Sequence, residues 1–150
     1  MYKAILLVED NPDDEVLTRR ALKKNNIGNE VIVARDGAEA LDYLFATGTY
    51  EGRDPSIMPQ VVLLDLKLPK VDGLEVLRTI KGDADMKCVP VVMLTSSREE
   101  QDLARSYHLG VNAYVVKPVD FADFLKSIKE LGLFWAVVDE PPPGSVQLKR

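Results

Sequence analysis

"VVLLDLKLPKVDG", residues 61–73, sets an ionisable carboxylate, Asp65, directly after four apolar residues that are typical of a buried strand. The turn formers Pro69, Asp72 and Gly73 follow, so the strand ends here. Burying a charge is costly unless it is paired, and a carboxylate at the end of such a run therefore needs a reason. Asp65 is the first candidate for a functional residue.

Five short apolar runs alternate with helix-periodic segments along the chain. Between the runs, apolar residues recur at helical spacing, as Val76, Leu77 and Ile80 do. Most runs are continuous rather than alternating, which is typical of a parallel sheet covered by helices on both faces. The sequence therefore predicts an α/β fold, a doubly wound sandwich. The predicted strands are residues 4–8, 31–34, 61–64, 91–94 and 113–116.

Capping signals mark the starts of several predicted helices. In three places an N-cap acceptor stands three residues before a glutamate, which is the pattern of a capping box. The first helix, residues 13–24, is preceded by Pro12 and begins with three acids, which suits a helix N-terminus. The three capping pairs are Asp36 with Glu39, Asp72 with Glu75, and Ser97 with Glu100.

Length and composition indicate one ordinary core. The chain has 150 residues, of which 46% are hydrophobic and 29% are charged. Its longest early apolar run, residues 4–8, is too short for a spanning helix or a signal-peptide core, so we expect a cytoplasmic protein. The single cysteine, Cys88, has no partner for a disulfide or a zinc cluster, and it is interpreted as a small core hydrophobe.

The distribution of charge limits the kinds of partner. The net charge is -5 at pH 7, and acidic side chains are crowded into residues 9–15. Nucleic acids and anionic membranes are disfavoured as partners, because both are negatively charged. The same charge favours the binding of a cation.

Two segments interrupt the regular alternation. Residues 46–59 contain Gly and Pro and are predicted to be a long exposed insertion. Residues 133–150 begin apolar and end proline-rich, so we divide the chain into a domain at residues 1–132 and a C-terminal extension. An apolar segment left in water forms the kind of patch that binds a partner. We therefore predict a homodimer in which Phe134 and Trp135 are contact residues.

Polar side chains stand at the carboxyl ends of four predicted strands. They are Glu9 and Asp10 after the first strand, Asp65 after the third, Thr95 after the fourth and Lys117 after the fifth. Because the carboxyl ends of parallel strands share one edge of a sheet, these side chains are expected to meet. Carboxylates about 4 Å apart repel by about 4 kcal/mol per pair at an effective dielectric constant of about 20, so a positive group belongs between them. Several carboxylate oxygens suit Mg²⁺ or Mn²⁺, and Lys117 adds a fixed cation.

Each of these residues also has an ordinary structural interpretation. Asp65 alone suits a strand-end turn, and Glu9 with Asp10 suits a helix cap. Thr95 suits a hydroxyl bonded to backbone, and Lys117 suits a solvated lysine. Their coincidence at equivalent ends of the strands favours one shared site over several independent structural roles.

At these residues the chain resembles the receiver domain of two-component response regulators, over roughly residues 3–131. LLVEDNPDD resembles the family's acidic metal-binding start, LLDLKLPKVDG its phosphoacceptor loop, MLTSS its switch hydroxyl, and AYVVKP its aromatic switch and lysine. The resemblance implies a flavodoxin-like sheet with the strand order 2-1-3-4-5 and helices on both faces. It also implies a module that is not an enzyme and assists only its own phosphorylation and dephosphorylation.

The resemblance implies a role for each residue of the acidic site. Asp65 would be the phosphoacceptor. Asp10 and Asp65 would bind Mg²⁺ or Mn²⁺ directly, together with the backbone carbonyl of Lys67, and Glu9 would act through water. Phosphoryl transfer onto a carboxylate gives an aspartyl phosphate and needs no general base, because the carboxylate is already ionised.

The resemblance further implies how the site responds to the phosphoryl group. Thr95 would bond this group, Lys117 would neutralise it beside a cis bond to Pro118, and Tyr114 would turn inward. The donor would be a phosphohistidine on a sensor histidine kinase. The insertion and the tail LGLFWAVVDEPPP resemble those of single-domain regulators paired with bacterial phytochrome-type kinases. The implied function is a receiver that signals by changing the protein it binds.

Other classes of protein fit less well. A flavodoxin-like cofactor module must accept a phosphate at its first loop, and EDNPDD repels one. A phosphatase of the haloacid-dehalogenase type needs a second aspartate where Lys67 stands. A DNA-binding effector needs a further domain, for which too few residues follow the last helix. The alternative left open is a pseudo-receiver that binds proteins without phosphorylation, although its expected loss of the acid pair or the lysine is absent.

Overall fold

The computed structural model describes residues 3–24, 29–95, 108–111 and 113–117, with the single positions 122 and 126. The strands are β1 (Ile5–Val8), β2 (Val31–Ala34), β3 (Val61–Asp65), β4 (Val91–Thr95) and β5 (Ala113–Val116). The helices are α1 (Pro12–Lys24), α2 (Gly37–Phe45) and α3 (Gly73–Gly82), and a short 3-10 helix covers Gly48–Tyr50. Within the described ranges, no helix has the length and apolar character that crossing a bilayer requires.

The five strands form one parallel sheet in the order β2-β1-β3-β4-β5, so the predicted fold and strand order are confirmed. The register aligns Val8 with Leu64 across β1 and β3, which places Glu9, the residue after β1, beside Asp65, the last residue of β3. Thr95 is aligned with Val116 across β4 and β5. The four strands β1, β3, β4 and β5 therefore end at nearly the same height on one edge of the sheet.

Alternate residues of the central strands point to opposite faces and build two apolar clusters. On one face, Leu6 and Leu64 pack in the cluster that includes α2 and α3. On the other face, Leu7 and Leu63 pack in the cluster that includes Leu22 of α1. Each fully buried side chain of this kind contributes about 1.5–3 kcal/mol, so the two clusters hold the sheet as a rigid support for its edge. The predicted layers of helix on both faces are confirmed.

The boundaries of the elements depart slightly from the predictions. β3 and β4 each extend one residue further and include Asp65 and Thr95, because both residues continue the parallel ladder. The edge strand β2 is only partly buried, with three of its four residues half-exposed, since it has a neighbour on one side only.

The predicted caps form at α2 and α3. Oδ1 of Asp36 accepts a hydrogen bond from the Glu39 amide at 2.7 Å, and Oδ1 of Asp72 accepts one from the Glu75 amide at 2.9 Å. The reciprocal half of the box differs at α2. There the Glu39 carboxylate accepts from the amide of Arg35 and from the hydroxyl of Tyr50, both at 3.0 Å. The predicted cap at Ser97 and Glu100 lies outside the described residues.

The insertion at residues 46–59 is anchored more firmly than the prediction of an exposed loop implies. The Arg53 guanidinium donates to the carbonyls of Tyr43 at 2.8 Å and Leu44 at 3.2 Å, which belong to the last turn of α2. It also donates to the Ile57 carbonyl at 2.8 Å and lies 4.2 Å from the centre of the Tyr43 ring. Because these acceptors are main-chain atoms and an aromatic face, Arg53 fastens the insertion to α2.

Cys88 is exposed, so its interpretation as a core residue is wrong. It lies in the segment that joins α3 to β4, where Met86 and Val89 are buried instead. These two apolar side chains fill the space beneath the segment, and Cys88 is directed to solvent.

Candidate functional site

The ends of β1, β3 and β5 bring Glu9, Asp65 and Lys117 together at the carboxyl edge of the sheet. Glu9 is fully buried and Asp65 is 6% exposed, while the Lys117 side chain is 9% exposed. A buried carboxylate is tolerated only with a partner, and here one ammonium serves both. The predicted meeting of these three side chains is therefore present in the fold.

The Lys117 ammonium is surrounded by carboxylates. Its Nζ lies 3.1 Å from Oε1 of Glu9, 3.1 Å from Oδ2 of Asp65 and 2.9 Å from Oδ2 of Asp14. The second Glu9 oxygen is 3.4 Å away. An ammonium has three N–H donors, so these three carboxylates match its full donor capacity.

Asp14 belongs to this site, although the sequence analysis did not single it out. It lies in the first turn of α1, on the side that faces the sheet, four positions before Thr18 and eight before Leu22. Thr18 and Leu22 are both buried, and residues at this spacing share one face of a helix. The spacing of Thr18 and Leu22 therefore indicates Asp14 as a residue that faces the sheet, once the buried face of α1 is extended back into its acidic first turn.

Asp10 completes an acidic cluster beside the lysine. One carboxylate oxygen from each of Glu9, Asp10 and Asp65 lies within 4.8 Å of the others. Asp10 is exposed and gives the cluster access from solvent, whereas Glu9 and Asp65 are buried. The donors are all carboxylate oxygens, which suit a hard divalent cation such as Mg²⁺ or Mn²⁺. The residues present therefore fit the predicted metal.

Backbone amides hold two of the carboxylates in place. The Lys67 amide lies 3.3 Å from Oδ1 of Asp65, and the Asn11 amide lies 3.3 Å from Oε2 of Glu9. Oδ1 of Asn11 in turn accepts from the amides of Asp13 and Asp14, so it caps the start of α1. The side chain of Lys67 is exposed, and the role of its carbonyl as a metal ligand stays a prediction.

Burial and crowding shift the proton affinities of two groups. Burial, reinforced by the neighbouring Asp65 and opposed by Lys117, raises the pKa of Glu9 to about 7. Burial alone lowers the pKa of the Lys117 ammonium, but the bond to Asp14 and the charges of Asp65 and Glu9 outweigh it and hold that pKa above its usual value. The lysine is therefore a permanent cation, while Glu9 changes charge near neutral pH.

The loop after Asp65 depends on close backbone packing. A Cβ atom on Gly73 would lie 2.2 Å from the carbonyl oxygen of Asp65, so only glycine fits at this point. The Gly73 amide donates to the Leu66 carbonyl at 3.1 Å, which closes the loop. Lys70, at its tip, has a positive φ of 65° and an ion pair of 3.4 Å with Asp36. The turn thus carries the chain away from Asp65 at the end of β3.

A cleft of about 470 Å³ opens beside the acidic cluster. It leads to Asp10 and is bordered by apolar side chains of the loop that follows β3 and by the first turn of α3. The residues lining it are Asp10, Leu66, Lys67, Leu68, Pro69, Asp72 and Leu74. A reactant can therefore approach the acidic cluster at Asp10, its exposed member.

The remaining predicted residues are placed less completely. Thr95 ends β4 next to the end of β5, and its side chain lies outside the described part of the structure. Tyr114 is half-buried on β5 and packs against the cluster that includes α2 and α3. Pro118, and the predicted dimer contacts Phe134 and Trp135, also lie outside the described residues.

Comparison with known proteins agrees with the resemblance. The response regulator receiver domain family matches residues 5–129. Among curated proteins, the response regulator Rcp1 of Synechocystis sp. is 44% identical over 133 residues, which cover 89% of this chain and 88% of the relative.

Three solved structures are similar over nearly their whole length. The bacteriophytochrome response regulator AtBRR has a TM-score of 0.84 and 65% identity, with 93% of this chain and 99% of that chain covered. The Mn²⁺-bound form of Rcp1 has a TM-score of 0.74 and 42% identity, covering 93% and 99% of the two chains. The phosphorylated cyanobacterial phytochrome response regulator RcpA has a TM-score of 0.74 and 41% identity, covering 90% and 94%.

Proposed function

Because this chain belongs to the response regulator receiver domain family, we propose that it accepts a phosphoryl group on Asp65 from a sensor histidine kinase. One contact carries this assignment. Oδ2 of Asp65 lies 3.1 Å from the Lys117 ammonium at the edge of the sheet, so the carboxylate has a fixed cation beside it. A carboxylate held in this way can act as a nucleophile, and the neighbouring ammonium can stabilise the negative charge of an added phosphoryl group.

The chain's own residues supply position and charge for the transfer. An oxygen of Asp65 forms a bond to phosphorus while the bond between phosphorus and the donor's imidazole nitrogen breaks, and the imidazole takes a proton from water as it leaves. Lys117 offsets the charge that spreads over the phosphoryl oxygens. The loop closed by Gly73 keeps Asp65 at the edge of the sheet throughout.

Glu9, Asp10 and Asp65, with the carbonyl of Lys67, would hold Mg²⁺ or Mn²⁺. The bound cation would supply neutralisation of the equatorial phosphoryl oxygens. The cluster of carboxylate oxygens within 4.8 Å supports this role, and the Mn²⁺-bound form of Rcp1 supports a divalent cation in a similar protein. Glu9, which is fully buried, would act through water.

The kinase is of the phytochrome type in this proposal. Its support is the similarity to the bacteriophytochrome response regulator AtBRR and to the phytochrome response regulator RcpA. The output is a change in protein binding, in which Thr95 bonds the phosphoryl group and Tyr114 turns inward. A homodimer contact through Phe134 and Trp135 completes the proposal. The acid cluster and Lys117 argue against the pseudo-receiver alternative, whose expected signature is their loss.

Intact-mass measurement after incubation with phosphoramidate and Mg²⁺ tests the phosphoacceptor. We expect one added phosphoryl group on the wild type and none on Asp65→Asn. Asp13→Asn is the matched control, because it removes the same charge at an exposed position of the same acidic segment. Labelling that survives Asp65→Asn overturns the assignment.

Transfer rates from a panel of histidine kinases test the pairing with a phytochrome-type kinase. Equal rates from phytochrome-type and unrelated kinases contradict this pairing.

A further inference from the structure

We propose that Asp14 is a positioning residue of the phosphorylation site, which competes with the phosphoryl group for the Lys117 ammonium. Its carboxylate lies 2.9 Å from Nζ, the shortest of the distances that join Lys117 to its described carboxylate partners. This role rests on the proposed phosphorylation of Asp65. In this role, Asp14 influences the rates at which Asp65 gains and loses the phosphoryl group.

The donor count of the ammonium requires a competition. Glu9, Asp14 and Asp65 already occupy three acceptor positions around Nζ, which has three N–H groups. A phosphoryl oxygen that binds Lys117 must therefore displace one of these carboxylates or share its donor. The ion pair that breaks most readily determines how far the Lys117 ammonium can turn towards the phosphoryl oxygens.

Asp14 is the carboxylate that can most readily lose its contact with Lys117. Glu9 is fully buried, so water cannot replace Lys117 as its partner. Asp65 carries the phosphoryl group and moves with it. The Asp14 side chain is 29% exposed, so water can replace the ammonium as its partner. Lys117 is therefore held partly by a carboxylate that can be released when the phosphoryl group binds.

The position of Asp14 sets it apart from the other acids of the first turn of α1. Asp13, one residue earlier, is exposed, and Glu15 binds Arg19 at 3.2 Å and also Arg35. Each of these placements is usual for an acid near a helix N-terminus. Asp14 instead reaches across to a residue that is 103 positions away, at the end of β5. Removing the charge of Asp14 therefore removes a direct partner of Lys117, whereas removing the charge of Asp13 changes only the overall electrostatic potential near the site.

Substitution of Asp14 tests the competition, with phosphoramidate as the donor at a fixed, saturating concentration of Mg²⁺. We expect Asp14→Asn and Asp14→Ala to gain the phosphoryl group about three- to tenfold faster and to lose it about three- to tenfold more slowly than the wild type, as the loss of a partly exposed ion pair predicts. Asp14→Glu keeps the carboxylate and should stay closer to the wild type. Asp13→Asn, the matched control, should change both rates by less than about twofold.

A double variant separates an effect through Lys117 from a general effect of charge. In a Lys117→Ala background, the effect of Asp14→Asn on both rates should shrink to that of Asp13→Asn, because the group for which Asp14 competes is gone. Urea unfolding of each variant checks that it is folded, and the two Asp14 substitutions serve as alternatives if one of them is not.

The outcomes distinguish this inference from the proposed function. A wild type that takes up no phosphoryl group overturns both. A wild type that is phosphorylated, with equal rates for Asp14→Asn and Asp13→Asn, overturns only the role of Asp14. Slower phosphorylation of Asp14→Asn also overturns the competition, because it means that Asp14 holds Lys117 in its productive place.

Discussion

The ammonium of Lys117 lies 3.1 Å from Oδ2 of Asp65, although 52 positions separate the two residues in the chain. They meet because β3 and β5 flank β4 and end at the same edge of the sheet. Both strands are held by the apolar clusters beneath them, so neither side chain has to be ordered when a reactant arrives. The same packing forces Glu9, Asp14 and Asp65 into one small pocket around a single cation.

The first prediction concerns the pH dependence of stability without metal. The pKa of Glu9 rises from 4.5 to about 7 on folding, so between these values the folded state holds a proton that the unfolded state has released. The stabilisation is therefore fully present below pH 4.5 and is lost as the pH rises through about 7. We expect the free energy of unfolding in the presence of a chelator to fall over this window by an amount on the order of 1–3 kcal/mol.

Glu9→Gln provides the test, since glutamine imitates the protonated acid at every pH. The variant should match the wild type near pH 5 and exceed its stability near pH 8, as measured by urea unfolding with a chelator. Glu75→Gln is the control, because the Glu75 side chain is 56% exposed on α3. Parallel pH curves for the wild type and Glu9→Gln would show that Glu9 does not carry the effect.

The second prediction concerns the loop after Asp65. Gly73→Ala would put a Cβ atom 2.2 Å from the Asp65 carbonyl oxygen, and backbone atoms cannot yield as a side chain can. We expect a loss of more than about 2 kcal/mol in the free energy of unfolding, together with slower phosphorylation. Gly82→Ala is the control, since no atom lies within 4 Å of its added Cβ. Equal stability of the two variants in urea would contradict the close approach.

The site at the carboxyl edge of the sheet was predictable because its residues stand at the ends of strands. In a parallel sheet, an apolar run followed by a polar residue fixes both the strand and the edge at which the side chain lies, so Glu9, Asp65 and Lys117 could be grouped in advance. Asp14 could not be grouped in the same way. Its contact depends on how α1 is rotated on the sheet, which is decided by Thr18 and Leu22 rather than by the acidic residues themselves.

The anchoring of the insertion left no comparable signal in the sequence. Arg53 binds main-chain carbonyls of α2, and every residue carries such an acceptor, so no residue type marks the partner. The exposure of Cys88 was missed for a related reason. Cys88 lies in the same short segment as Met86 and Val89, and only the direction of the chain there decides which side chains enter the core.

The third prediction concerns this anchor. Arg53→Ala removes the bonds to the Tyr43 and Leu44 carbonyls and the contact with the Tyr43 ring, so we expect a loss of about 1–3 kcal/mol in the free energy of unfolding. Arg53→Lys should recover only a part of it, because an ammonium lacks the planar fork. Arg78→Ala is the control, since its 3.8 Å pair with Glu75 is exposed on both sides. A loss no larger than that of the control in urea unfolding would contradict the anchor.

The last prediction is the homodimer through the C-terminal extension. The segment LGLFWAVV at residues 131–138 has more apolar residues than a core of this size requires, and a contiguous apolar patch in water usually binds a partner. In a symmetric dimer, Trp135 would be the aromatic anchor of one copy against the other. We expect sedimentation of the full chain to show dimers that dissociate on dilution, with weaker association for Trp135→Ala and monomers for a chain cut after Gly132. Phosphorylation should shift the equilibrium, because the proposed inward turn of Tyr114 would change the face of the domain on which the dimer is expected to form. Monomers for the full chain across the concentration series, with and without phosphoramidate, would remove the dimer and leave the extension as part of the core or as a docking element for the kinase.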